Sequence, residues 1–142
     1  MMILCPHFLI DIMKNLVIIG AGGMGRTIFD VARESIGYGI EYTIKGFIDD
    51  NLSALDGFED YPPMLGTISH YLPEVDDVFT FSIGGESRRV CIEYLMERNA
   101  KFINIVHSTA RIGSNVRMGE GNVIGAFTSL GADCSIGSYN MI

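Results

Sequence analysis

Residues 111–142 read RIGSNVRMGEGNVIGAFTSLGADCSIGSYNMI, and the spacing of their aliphatic side chains decides how the chain is read. Ile112, Met118, Ile124, Leu130, Ile136 and Ile142 fall on every sixth position, and Gly113, Gly119, Gly125, Gly131 and Gly137 follow the first five. A six-residue beat fits neither an amphipathic helix, with a period of about 3.6, nor a simple strand, with a period of about 2. It fits a β-helix of hexapeptide repeats, in which each aliphatic points inward and stacks on its neighbour in the next coil. The glycine after each aliphatic is expected to let the backbone turn where a Cβ would crowd. At three hexads per coil the segment makes under two coils, fewer than repeat arrays need to stand alone.

Upstream the pattern differs. Residues 15–20 (NLVIIG) form a short continuous apolar run, as for a strand buried on both faces. Gly20, Gly22 and Gly25 follow as G-x-G-x-x-G, and residues 26–36 have helical spacing with Ile28, Val31, Ala32 and Ser35 inward. Residues 41–48 predict a second strand ending in Asp49 and Asp50, and residues 51–63 a turn-rich loop. Residues 64–71 predict a short strand or turn and then a short helix. Residues 78–83 predict a strand ending in Gly84 and Gly85, residues 86–99 a helix with Val90, Tyr94 and Leu95 inward, and residues 102–106 a last strand. Strand–helix alternation with short connections implies parallel βαβ units. The fold class is therefore α/β, a small Rossmann-like parallel-sheet domain over residues 13–106, followed by a partial β-helix over residues 107–142.

The glycine pattern alone is a weak signal, but between a strand and a helix it acquires a mechanism. Gly20 makes the tight turn, Gly22 allows close approach of a phosphate, and Gly25 lets the helix settle on the sheet. Helix N–H groups and the helix dipole then favour a diphosphate, with Arg26 on the first turn adding a charge-assisted contact. Asp49 and Asp50 stand where a ribose- or base-binding acid belongs, or are solvated turn residues. Gly84 and Gly85 end a strand near the expected crevice. One of Arg88 and Arg89 faces a ligand there, or both are solvated.

The net charge of −7 argues against nucleic acid, whose phosphates need clustered Lys and Arg. No apolar run is long enough to span a membrane. The first residues make a poor signal peptide, and residues 1–12 read as an over-long start or a loose extension. Cys5, Cys91 and Cys134 have no metal or disulfide spacing, and are expected as reduced thiols of a cytoplasmic protein. His7, His70 and His107 share no metal spacing, so no metal site is expected, and His107 at the junction reads as structural.

The order of these motifs, GAGGMG, then FIDD at residues 47–50, IGG with a following arginine, and a junction histidine before hexads, resembles one family. It is that of the bacterial sugar O-/N-acyltransferases with a left-handed β-helix, of the sialic acid O-acetyltransferase and UDP-amino-sugar N-acetyltransferase types. The resemblance covers Lys14 onward. It implies that the α/β domain binds a nucleotide sugar, that the coils form a homotrimer, and that acetyl-CoA, the co-substrate, lies between adjacent β-helices. It assigns the diphosphate to the loop Gly20, Gly22, Gly23, Met24 and Gly25, which Arg26 follows, the base or ribose to Asp49 and Asp50, and the sugar-nucleotide crevice to Gly84, Gly85 and Arg89. Met24 stands where the family commonly has histidine, and Ser108 where it has proline. The family's catalytic histidine would fall roughly eight residues beyond Ile142, in the next coil. The chain is therefore expected to be a truncated acyltransferase that binds a UDP-sugar with little or no turnover. Two other readings stay open: a non-catalytic nucleotide- or NAD-binding module that oligomerises through its hexads, and a Rossmann dehydrogenase without its catalytic domain.

Overall fold

The computed structural model describes residues 12–142. The readings of Cys5, His7 and the first eleven residues lie outside them. Strand β1 (Lys14–Ile19) carries four consecutive fully buried residues, Leu16 to Ile19. Period-two alternation sends Leu16 and Ile18 into one core and Val17 and Ile19 into the other. A strand with apolar residues on both faces must lie inside a sheet covered on both sides, and β1 does. The sheet runs β3 (Met64–Gly66), β2 (Tyr42–Ile48), β1, β4 (Asp77–Phe81), β5 (Lys101–Phe102), with every pairing parallel. Helix α1 (Gly23–Arg33) follows β1, and α2 (Gly85–Met96) follows β4. The order of strands reverses between β1 and β4, so a crevice opens at their carboxyl ends.

Differences from the sequence reading have local causes. The helix expected after β3 is a turn, in which Thr67 O accepts from His70 and Tyr71 N–H. The inward face of α2 is Arg88, Cys91, Ile92 and Leu95, while Val90, expected inward, is 66% exposed. The strand expected over residues 102–106 is divided. Lys101–Phe102 stays in the sheet, whereas β6 (Ile105–Val106) pairs with β9 (Val123–Ile124) of the coils. Asn104 makes the break, since its side chain turns to Gly119 O and Asn122 N rather than continuing a ladder.

The coils repeat every three hexads. β7 (Arg111–Ile112) pairs with β10 (Ser129–Leu130), β8 (Arg117–Met118) with β11 (Ser135–Ile136), and Val123 bridges Met141. Ile124 is fully buried and Leu130 nearly so, whereas Ile112 is 38% and Ile142 47% exposed. The turns are not made at the glycine after each aliphatic. They are made two residues later, at Asn115, Gly121, Phe127, Asp133 and Tyr139, all with φ between 59° and 72°. Gly113 and Gly119 meet the other half of the expectation: a Cβ at Gly113 would lie 2.7 Å from Ala132 N, and one at Gly119 2.8 Å from Gly137 O, whereas at Gly131 and Gly137 it would meet nothing within 4 Å. The first two let coils approach, and other residues turn them.

Side-chain bonds cross-link successive coils at the eighteen-residue offset. Asn104 Oδ1 accepts from Asn122 N and Nδ2, and Asn122 Oδ1 accepts from Asn140 N and Nδ2. Ile105 and Val123 join the core on the α1 side of the sheet, so the coils seal one face of it. His107 completes this seam. Its Nδ1 accepts from Thr109 N–H, so Nε2 carries the proton and donates to Glu34 Oε2 at 2.6 Å.

Candidate functional site

The glycine loop joins β1 to α1. Gly20 has φ +97°, which an L side chain rarely adopts. A Cβ at Gly25 would run into the Gly20 carbonyl oxygen, so the third glycine is needed for α1 to start against the end of β1. Ser82, just past β4, donates its hydroxyl to Ile19 O at 2.6 Å and ties the two central strand ends together. Gly22 is the N-cap of α1 and Gly84 that of α2, and neither helix has a side-chain cap. Both helices therefore begin at the carboxyl edge of the sheet with first-turn N–H groups unclaimed by side chains. Around Gly22 and Gly84 an added Cβ would meet nothing within 4 Å, which leaves room for a ligand against the backbone.

Between these helix starts and the coils lies a cavity of about 310 Å³. Its sheet side is Phe81, Ser82, Ile83 and Gly84, and Met24 reaches in from α1. Its coil side is Gly121, Tyr139, Asn140 and Met141, and Arg88 joins the two. Arg88 donates to the Tyr139 carbonyl and lies 5.6 Å from the Phe81 ring. The Tyr139 ring is set edge-on to Phe102 at 5.2 Å, and its phenol donates to Glu120 Oε1 at 3.1 Å. Burial first and then that carboxylate push the phenol up to about 12.

The expected site residues divide among three places. Gly84 and Met24 line the cavity, and Gly20, Gly22, Gly23 and Gly25 form the loop above it, with Gly85 opening α2 at φ +71°. Asp49 is occupied as a brace: Oδ2 accepts from Ala21 N–H and Oδ1 from Asn51 N–H, each at 2.8 Å. It holds the glycine loop in shape. Asp50 is exposed and accepts from Ser69 N–H and hydroxyl at 3.3 Å. Arg26 folds back to the helix start, where a Cβ at Gly23 would lie 3.9 Å from its Nη2. It donates to Ala21 O at 3.1 Å and stacks 3.7 Å from the Phe58 ring centre.

Of the two arginines that open α2, the structure turns Arg88 into the crevice. The Arg89 side chain is 85% exposed and pairs with Glu93 at 2.9 Å, one helical turn on. The signal for this was in the sequence. Arg88, Cys91, Ile92 and Leu95 sit at i, i+3, i+4 and i+7, one helical stripe, to which Arg89 does not belong. Phe58 and Tyr139 had no such signal, because one stands in a loop and the other at a coil corner. Among the described residues no group of three His, Cys, Asp or Glu could hold a metal ion, and no helix is long and apolar enough to cross a membrane.

Comparison with known proteins agrees with this architecture. The family model of the PglD N-terminal domain matches residues 15–95. UDP-N-acetylbacillosamine N-acetyltransferase of Bacillus subtilis (strain 168) is 30% identical over 117 residues, covering 79% of this chain and 51% of that protein. The acetyltransferase domain of PglB from Neisseria gonorrhoeae FA1090, solved with acetyl coenzyme A, superposes with a TM-score of 0.74 at 24% identity, covering 92% of this chain and 62% of that one. PerB of Caulobacter crescentus, solved with CoA and GDP-perosamine, gives 0.73 at 24% identity, covering 91% and 59%. The chain thus spans about half of the Bacillus subtilis protein and about three fifths of the solved chains.

Proposed function

This chain belongs to the PglD N-terminal domain family, and from that premise we infer that it binds a nucleotide-activated sugar, the acceptor in an acetyl-CoA-dependent N- or O-acetyl transfer of surface-glycan synthesis. The observation that carries this reading is the cavity at the strand-order reversal. The uncapped starts of α1 and α2 meet there, with the coils as the facing wall. Two helix N-termini at one edge suit a diphosphate, and 310 Å³ suits a sugar beside it. In this reading Gly20, Gly22, Gly23 and Gly25 approach the diphosphate through their backbone, Gly84 and Gly85 line the sugar side, and Asp49 fixes the loop.

Acetyl transfer moves the acyl group from a thioester to the acceptor's amine or hydroxyl, and a base must take the acceptor's proton. His107 is the single histidine of the coil segment, and Glu34 and Thr109 engage both its ring nitrogens. The exposed His70 is held by Thr67 and Ser69. In this reading the 142-residue chain acts as a binding unit with little or no turnover of its own, in keeping with the engagement of both histidines among the described residues. The family resemblance adds assembly as a homotrimer through the coils. The free thiols of Cys91 and Cys134 support a cytoplasmic setting.

Calorimetry with UDP, GDP, CMP and NAD tests the reading, together with a coupled assay of CoA release. Saturable binding of a nucleoside diphosphate without CoA release is the expected result. Tight NAD binding with no response to UDP, GDP or CMP would move the chain to the class of NAD-binding modules. Robust CoA release would show that its own residues suffice for transfer.

A further inference from the structure

Arg88 is the charged side chain in the cavity wall, and among the described residues no carboxylate is within ion-pair distance of it; Glu93, which borders the neighbouring groove with Arg88, pairs with Arg89 instead. Neither Asp nor Glu lines the cavity, and none of the ion pairs among the described residues includes Arg88. Its partner is a backbone carbonyl, that of Tyr139, which occupies one nitrogen and leaves the rest of a five-donor fork to the cavity. In a chain of net charge −7, a half-buried guanidinium against Phe81 with no ion-pair partner among the described residues carries an unusual cost of desolvation. A ligand oxygen bearing negative charge is the natural partner, since a planar fork binds phosphate or carboxylate in bidentate fashion.

We propose that Arg88 is the specificity-determining residue of the crevice, pairing with an anionic oxygen of the bound nucleotide sugar while Tyr139 O holds its guanidinium in place. The proposal rests on the reading of the crevice as a nucleotide-sugar site and adds what that reading lacks, a charged recognition element. The anionic oxygen has two possible sources, the diphosphate and an acid group on the sugar. An unblocked ammonium is disfavoured beside Arg88, because the cavity wall supplies no acid to hold it.

The test is calorimetry on the 142-residue chain and on Arg88→Ala, Arg88→Gln and Arg33→Ala. The ligands are the nucleoside, its diphosphate, the diphosphohexose and the diphosphohexuronate of the base that wild type prefers. Gln retains a donor for Tyr139 O and lacks the charge. Arg33→Ala removes one unit of charge from the far end of α1 and controls for net charge. Both Arg88 variants are expected to lose about tenfold or more in affinity for anionic ligands and little for the nucleoside, with Arg33→Ala behaving as wild type. A loss that already appears with the diphosphate identifies phosphate as the partner, and a loss confined to the hexuronate identifies the sugar acid. Wild-type affinity in Arg88→Gln for all four ligands would overturn the proposal, even if Arg88→Ala fails to fold, because it would reduce Arg88 to a strut for Tyr139. A wild-type chain that binds none of the diphosphates would overturn the crevice reading itself, and this inference with it.

Discussion

The parallel sheet and the coils that follow it draw on the same aliphatic residues and hold together differently. In the sheet, side-chain burial dominates. β1 buries four residues in succession, and two cores lie on its two faces. In the coils the strands are two residues long, and most of their side chains are at least partly exposed. What holds them is a backbone ladder reinforced by side chains, above all Asn104–Asn122–Asn140. Burial of an apolar side chain is worth about 1.5–3 kcal/mol, a hydrogen bond about 1 kcal/mol net. The sheet should therefore be sensitive to volume, and the coils to lost bonds.

The largest effect is expected at Gly25. In Gly25→Ala the new methyl meets the Gly20 carbonyl, which is backbone and cannot swing aside. A loss of about 3 kcal/mol or more, read by urea denaturation, should come with loss of nucleotide binding. If Gly25→Ala keeps its stability, the close approach of α1 to β1 is not what shapes the loop. Next comes Asn122→Ala, which removes a fully buried side chain and leaves Gly137 O and Asn140 N without their partner. A cost of about 2 kcal/mol is expected, with binding to the loop retained. An equal cost in Asn122→Leu would sharpen the contrast, since restored volume should not rescue a site held by bonds.

Alkaline pH probes both regions at once. Tyr71, at the sheet edge, is pushed up to about 12 by burial first and then by its bond to Asp77, and Tyr139, on the coils, also reaches about 12. An unfolded tyrosine ionises near 10. A raised folded-state value means that this stability is fully present below about pH 10 and is lost as pH climbs toward 12. Urea midpoints at pH 8 and 11 should fall less in Tyr71→Phe and Tyr139→Phe than in wild type. An unchanged slope in both variants would remove the phenols from the account. The smallest effect is at Thr80, a fully buried hydroxyl of β4 without a hydrogen-bond partner among the described residues. Thr80→Val should gain up to about 1 kcal/mol, and a loss would mean that the hydroxyl is satisfied after all.

Much of this contrast was legible in the sequence because each region advertises its own period. Continuous apolar runs marked β1 and β4, and the six-residue beat marked the coils. The division of residues 102–106 was hidden, since FINIV is one apolar run and only the side chain of Asn104 separates sheet from coil. The coil corners were hidden too. Phe127 and Tyr139 adopt positive φ, where Asn or Gly would be expected, and only the repeat fixes them there. In the site, glycine spacing located the loop, but the roles of Asp49 and Arg26 turn on tertiary partners, Ala21 N–H and Phe58, that no local pattern encodes.

Whether the crevice between the two helix starts holds a nucleotide sugar can be read from amide chemical-shift mapping of the 142-residue chain against a nucleoside diphosphate and its sugar conjugate. Saturable shifts are expected at Gly20 to Arg26 and at Gly84 to Arg88, with the conjugate alone extending them to Tyr139 and Met141. Shifts confined to other surfaces, or none at millimolar ligand, would contradict the crevice as a nucleotide-sugar site.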